Sequence, residues 1–486
     1  SSISNAPRSG SYLGWGRWYP RRCLVPLGRR QVAMIESLPV TAQAAHEATP
    51  SIPVPTVMPL PLVSPSASSL SPDHLLARLV GVLRDAGAFV SPKVVRGVVP
   101  PLAVPGMVAK KSFAALEQVL CIPAKVQVTY DLVQREAPDL VAAFTPELRD
   151  KIRLECPEVI AFVSQQLHRL EACPDPVREF DANGGCAAWL ELFFGMQLNA
   201  DFSHMPHHRL VRSEAARRAL HPSPEVHNAE WTRDTFISSH AAILRDVPLE
   251  VLGERFELSR FVQAYLLLLS RTFSGGDHHF QHSLVPIADL FNHSATPTAS
   301  WTFTGEGDFV VKTNRPIQAS EEIFLSYGRD KSNVRLFRSY GFTVPPEVEP
   351  TCSFRVWPSL APKIYVDFLP EGQRRRVLDL ETSRVDGTTR SAFKACVAHG
   401  TCPAAFLRAL CNHFLVQYVV AGHDRRDTEL TALDEADRSF AECAFRVTRC
   451  EYMCLAAHVA ALEVMRDGIT TAEEFAKELE AALLTT

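Results

Sequence analysis

Apolar positions recur at two periods along this chain, and the switches between them divide it into regions. In SPDHLLARLVGVLRDAGAF (71–89), Leu75, Leu76, Leu79, Val82 and Leu83 follow the 3.6-residue period of a helix, with Asp73 as its cap and Gly87 as its stop. Three runs of β type come next: VVRGVV (94–99), GMVAKKSF (106–113) and VLCIPAKVQVTY (119–130). Pro123 interrupts the last, which makes it an edge or a strand end. From about Ala137 to Arg260 the pattern is helical with polar loops, as in PELRDKIRLECPEVIAFVSQQLHRLEA and RDTFISSHAAILRDV. Strand character returns with SWTFTG and DFVVKTN, and TFTGEGDFVV predicts a hairpin turning on Gly305 to Gly307. Beyond about Pro350 the pattern is mostly helical again. Thr471 to Glu474 predicts a capping box, after which Phe475, Leu479, Ala482 and Leu483 share a helical face.

Composition narrows the class. The chain has 486 residues, 46% hydrophobic and 21% charged, enough for two or three domains with ample core. A formal charge of -4 gives no bulk attraction to nucleic acid or anionic membrane. The apolar stretch from Phe406 to Val420 is broken by Arg408, Asn412 and His413, short of the roughly 20 apolar residues that span a bilayer. Twelve cysteines without a CxxC pair suit free thiols in a reducing compartment. Cys443, Cys450 and Cys454 can share one helical face, which is expected to be a buried apolar stripe, because no fourth ligand completes tetrahedral zinc. The segment to Arg30 carries six arginines, and no acidic residue precedes Glu36. That composition resembles an organellar transit segment, with a mitochondrion favoured over a plastid; a basic tail, or sequence ahead of a start at Met34, reads equally simply. Pro39 to Pro72, rich in Pro, Ser and Ala, is expected to be an extended linker.

The chemistry rests on four strings in order: SRTF (270–273), DLFNHS (289–294), EEIFLSYG (321–328) and KSNVRLFRSYGF (331–342). Together they resemble SET-domain methyltransferases, of the branch that holds Rubisco large-subunit lysine methyltransferase and actin histidine methyltransferase. The resemblance implies an α+β fold: a split SET domain of short twisted sheets around a pseudoknot-type core, a helical insertion, and an all-α substrate-binding-like domain at the C-terminus. The corresponding divisions are a leader and linker at 1–70, SET parts at 71–136 and 259–350, the insertion at 137–258 and the helical domain at 351–486. It implies methyl transfer from S-adenosylmethionine to a lysine, or a histidine, of a non-histone protein, with a protein substrate or partner docking on the C-terminal domain and no metal. By the same resemblance Tyr327 is the catalytic tyrosine. Arg271, Asn292, His293, Gly106 and Met107 bind cofactor, and Ser270, Asp289 and Tyr340 contact the acceptor amine. Trp301 stands near the position of a further pocket aromatic.

Two features depart from that pattern. The glycine-rich cofactor turn of the family, about E-G-x-G-L-V-A, reads AVPGMVA here (103–109), so Val104 replaces a glycine and Pro105 removes an N–H donor. Ala115 and Leu116 stand where a turn glycine is usual. The altered cofactor turn favours an alternative, a SET-fold scaffold or assembly subunit without catalysis. The chemistry itself sets a protonation requirement. A lysine with pKa near 10.4 loses its proton at pH 7 at a cost of roughly 4–5 kcal/mol, which a histidine near 6.5 largely avoids. The histidine strings HMPHH (204–208) and DHHFQH (277–282) are expected to be solvated polar loops.

Overall fold

The computed structural model describes residues 72–99, 104–152, 154–172, 187–253, 255–274, 282–328, 331–421, 435–465, 469 and 471–485. The basic leader, the Pro/Ser/Ala linker and most of DHHFQH lie outside these residues.

Helix α1 (Pro72–Asp85) buries Leu75, Leu76, Leu79 and Leu83, and Gly87 at φ +93° ends it. Asp73 sits in its first turn, not at a cap, and its carboxylate accepts from Arg96 at 3.0 Å. A four-stranded antiparallel sheet, in the order β1-β4-β8-β7, joins β1 (Phe89–Val90) and β4 (Gln118–Ile122) to the hairpin β7 (Ala299–Phe303) and β8 (Phe309–Thr313). That hairpin turns where expected, with Gly307 at φ +86°. Strands β2 (Val94–Val98) and β3 (Pro105–Ala109) form a separate ladder that pairs Gly97 with Gly106, and β5 (Thr272–Phe273) pairs with β6 (Ser283–Leu284) in another. Leu116 takes φ +62° on an exposed turn, so the chain adopts the glycine conformation there without the glycine.

The pseudoknot is visible in the backbone hydrogen bonds. Residues 321–325 run beside β3, with Ala109 N–H donating to Glu321 O (2.9 Å) and Ile323 N–H to Met107 O (2.8 Å). The same segment is held by DLFNHS: Leu325 N–H donates to Asn292 O and Ser294 N–H to Leu325 O, both at 3.0 Å. Three pieces of chain far apart in sequence are therefore locked edge to edge.

Helices make up most of the chain between β4 and β7. They include α2 (Pro157–Ala172), α3 (Ala187–Gln197), α4 (Pro206–Arg212), α5 (Glu225–Asp246) and α6 (Leu258–Arg271). Trp189, Leu192, Phe193 and Phe194 of α3 are buried, which explains why that helix reads as apolar nearly all round. Beyond α7 (Asn333–Tyr340) the chain is mainly helical, with α8 (Gly387–Ala398), α9 (Pro403–Ala421), α10 (Glu435–Val464) and α11 (Ala472–Leu483). To this the structure adds a short ladder of β9 (Ser353–Val356) with β10 (Leu378–Glu381). Thr471 caps the last helix as expected: its Oγ1 accepts from Glu474 N–H at 3.2 Å. Cys450 and Cys454 lie buried on α10. Among the described residues, no helix is long and apolar enough to cross a membrane.

Candidate active site

Ser270, Arg271, Asp289, Asn292, Tyr327 and Tyr340 line one cavity of about 380 Å³. They come from the end of α6, the turn at 288–290, the two pseudoknot segments and the end of α7. The turn is unusual, because buried, β-branched Ile287 holds φ +71° immediately before it. Such a conformation costs on the order of 1–3 kcal/mol and persists only where the surroundings fix it. Here it directs Asp289 inward.

Tyr327 is held on every side. Its hydroxyl donates to Phe291 O at 2.8 Å, and its backbone N–H donates to His293 Nδ1 at 3.1 Å. Its ring centroid lies 4.8 Å from that of Tyr340. Burial pushes its pKa well above the ordinary tyrosine range, so the phenol stays protonated at neutral pH. With that proton committed to a carbonyl, the hydroxyl oxygen presents only lone pairs to other groups. This is an electron-rich acceptor, not a base.

Asp289 is buried and accepts from Gln197 Nε2 at 2.8 Å and from Arg271 Nη1 at 3.3 Å. Burial raises its pKa, against the pull of Arg271 and Gln197. Arg271 Nη1 also donates to Asp289 O at 3.0 Å, while its Nε is buried without a hydrogen-bond partner. Arg271 itself lines the cavity, and a guanidinium in such a wall is a place for an anion. Ser270 Oγ donates to Leu266 O at 2.6 Å.

The remaining residues divide. His293 stands behind Tyr327, its ring 5.2 Å away, and burial lowers its pKa to about 4, so it is a neutral acceptor for the tyrosine N–H. Met107 is 3% exposed, and the cavity wall does not include it. Gly106 lies beneath a pair of side chains: a Cβ added there would fall 2.2 Å from Glu322 Oε1 and 2.6 Å from Asn292 Nδ2. Trp301 stacks on Phe309 at 5.5 Å and donates to Ser326 O at 3.3 Å, packing on the sheet and not in the cavity.

Several lining residues were not anticipated. Asp201, Phe202, His204 and Met205 close the cavity from the segment after α3, and Arg96 and Phe342 also line it. HMPHH is therefore not a solvated loop. His207 and His208 are buried at the start of α4, and burial lowers the pKa of His207 to about 3. The signal was Phe202 and Met205, apolar residues flanking His204. Among the described residues, one grouping has metal-ligand character, Glu349 with Cys352 and Cys450 within 4.8 Å of one another. Its carboxylate already accepts Asn333 N–H at 2.7 Å, so hydrogen bonding accounts for it.

Residues 106–328 match the SET domain family. The chain contains a SET domain. Over 100 residues it is 34% identical to the chloroplastic ribulose-1,5 bisphosphate carboxylase/oxygenase large subunit N-methyltransferase of Pisum sativum, covering 18% of this chain and 20% of that protein. Over 124 residues it is 29% identical to the chloroplastic fructose-bisphosphate aldolase-lysine N-methyltransferase of Arabidopsis thaliana, covering 23% and 25%. The matched stretches thus span a quarter or less of these relatives' lengths. Among solved structures, the SET domain of LSMT bound to lysine and AdoHcy superposes with a TM-score of 0.55 at 18% identity, covering 82% of this chain and 92% of that one. Rubisco LSMT bound to AdoMet gives 0.51 at 17% identity, covering 85% and 93%. At such identities the likeness is one of fold, and the fold is that of the SET domain.

Proposed function

We propose that this SET domain is a protein N-methyltransferase that uses S-adenosylmethionine and methylates a lysine of a non-histone protein. The observation that carries this reading is the convergence of Ser270, Arg271, Asp289, Asn292, Tyr327 and Tyr340 on one cavity. The names of the plant relatives, both N-methyltransferases, and the ligands of the solved neighbours point the same way.

The residues fit the cofactor. Arg271 would hold its carboxylate, and Asn292 would hold its amino-acid end. When bound, S-adenosylmethionine supplies a methyl group made electrophilic by the sulfonium. The Tyr327 oxygen, its proton held by Phe291 O, favours positive charge beside it. Tyr340, stacked on Tyr327, narrows the space for the acceptor nitrogen, and positioning of that nitrogen is a large part of the catalysis. A buried aromatic wall also disfavours the ammonium form, which lowers the cost of deprotonating a lysine.

The helical C-terminal region is our choice for the docking surface of the protein substrate. Both plant relatives are chloroplastic, and we read the arginine-rich leader as directed to a plastid in preference to a mitochondrion. The scaffold alternative retains one supporting observation, Val104 and Pro105 at the cofactor turn. Calorimetry with S-adenosylhomocysteine separates the two. Micromolar binding by the full chain, lost in Arg271→Gln, supports the enzyme; a folded wild-type protein that binds nothing supports the scaffold.

A further inference from the structure

The side-chain amide of Asn292 has a fixed orientation. Its Nδ2 donates to Glu322 Oε1 at 2.7 Å and to Pro105 O at 3.3 Å. A carbonyl and a carboxylate are both acceptors, so rotating the amide by half a turn would set oxygen against oxygen. Its backbone is equally fixed, since Asn292 O accepts Leu325 N–H at 3.0 Å. With both amide hydrogens engaged, Oδ1 is the only group Asn292 has left to offer the cavity it lines, and no donor reaches that atom among the described residues. The guanidinium residue Arg271 lines the same cavity. An open acceptor and a guanidinium in one wall match the ammonium and the carboxylate of an α-amino acid.

We propose that Glu322 is a positioning residue: its carboxylate holds the Asn292 amide with Oδ1 turned into the cavity, so that the site accepts the α-ammonium of the cofactor's methionine end. This rests on the cofactor reading above. Glu322 is 3% exposed, is bridged to Val108 of β3 through the backbone, and lies over Gly106, where no side chain could coexist with it. Its burial is costly, and the hydrogen bond to Asn292 offsets only part of that cost. A carboxylate kept in such a place for packing alone would be better replaced by an apolar residue.

The test is ligand discrimination, not activity. S-adenosylhomocysteine and its des-amino analogue, in which hydrogen replaces the α-amino group, are titrated into the full chain by calorimetry. Wild-type protein should prefer the amino compound by about tenfold or more, the scale of one charge-assisted hydrogen bond. In Glu322→Leu the preference should collapse while affinity for the des-amino analogue stays within about threefold of wild type, which shows an intact nucleoside site. Glu322→Gln can still accept from Asn292 Nδ2 and should keep most of the preference. A wild type that discriminates alongside a Glu322→Leu variant that discriminates equally overturns the positioning role alone. A wild type that binds both compounds equally also overturns it. A wild type that binds neither overturns the cofactor reading, and this inference with it.

Discussion

Gly106→Ala tests whether the pseudoknot and the cavity are one mechanical unit. The added Cβ would lie 2.2 Å from Glu322 Oε1, 2.6 Å from Asn292 Nδ2 and 3.1 Å from Glu322 Cδ. Ordinary van der Waals contact is near 3.5 Å, so the carboxylate must retreat by about 1 Å. The 2.7 Å hydrogen bond to Asn292 cannot survive that displacement while β3 holds its register with β2. A hydrogen bond to a charged group contributes about 1.5–3 kcal/mol, which predicts a loss of S-adenosylhomocysteine affinity of roughly 10- to 100-fold. Global stability should move less, because alanine gains about 0.5–1 kcal/mol over glycine in a strand and offsets part of the strain. Calorimetry gives the affinity and urea denaturation the stability. Combined with Glu322→Leu, the substitution should add little, since both remove the same bond. An affinity within threefold of wild type, or full additivity in the double variant, would show that the pair over Gly106 is not coupled to the ligand.

Two further predictions concern the shell around the site. Gly341 holds φ +76°, and a Cβ there would meet His204 Cδ2 at 2.6 Å, so Gly341→Ala should lower stability by about 1–3 kcal/mol in urea and weaken S-adenosylhomocysteine binding through the His204 wall; unchanged stability would contradict the geometry. Glu451 is buried, with Tyr418 OH and Ser223 Oγ each donating to it at 2.8 Å, and burial, aided by nearby Glu225, raises its pKa to about 8. A folded-state pKa above the ordinary 4.5 means that the native state binds the extra proton, so stability falls as pH rises between those values. Glu451→Gln should therefore match wild type near pH 4 and exceed it by a few kcal/mol at pH 8.5 in urea midpoints, and an equally steep decline in both proteins would refute the assignment.

What could be read from the chain was local. The helix at 72–85, the hairpin at Gly307 and the helix cap at Thr471 depend on neighbours within a few residues, and the structure reproduces them. The four motif strings located six cavity residues, because each string folds as a unit and the SET topology brings them together. The misreadings were of burial that only tertiary packing sets. HMPHH looks polar, yet the end of α3 and the glycine conformation at Gly341 admit His204 to the cavity and close His207 and His208 inside. A two-strand ladder at 353–356 and 378–381 was likewise absent from the pattern, since each strand is four residues long and the partners are separated by a helix and turns.

The altered cofactor turn is the instructive case. Judged by glycine count, AVPGMVA has lost half of its motif. The structure shows that Gly106 meets a steric demand which belongs to this chain: Glu322 and Asn292 occupy the volume a side chain would fill. Val104 and Pro105 meet no such demand. Val104 is exposed at the cavity edge, and Pro105 opens β3 opposite Val98, where its carbonyl still accepts from Asn292. Proline lacks a donor there but keeps the acceptor, which supports the amide alongside Glu322. The retained glycine is thus the one whose loss the packing forbids. Pro105, beside the replaced glycine position, keeps its backbone oxygen on the Asn292 amide, so the substituted turn still helps to hold that side chain.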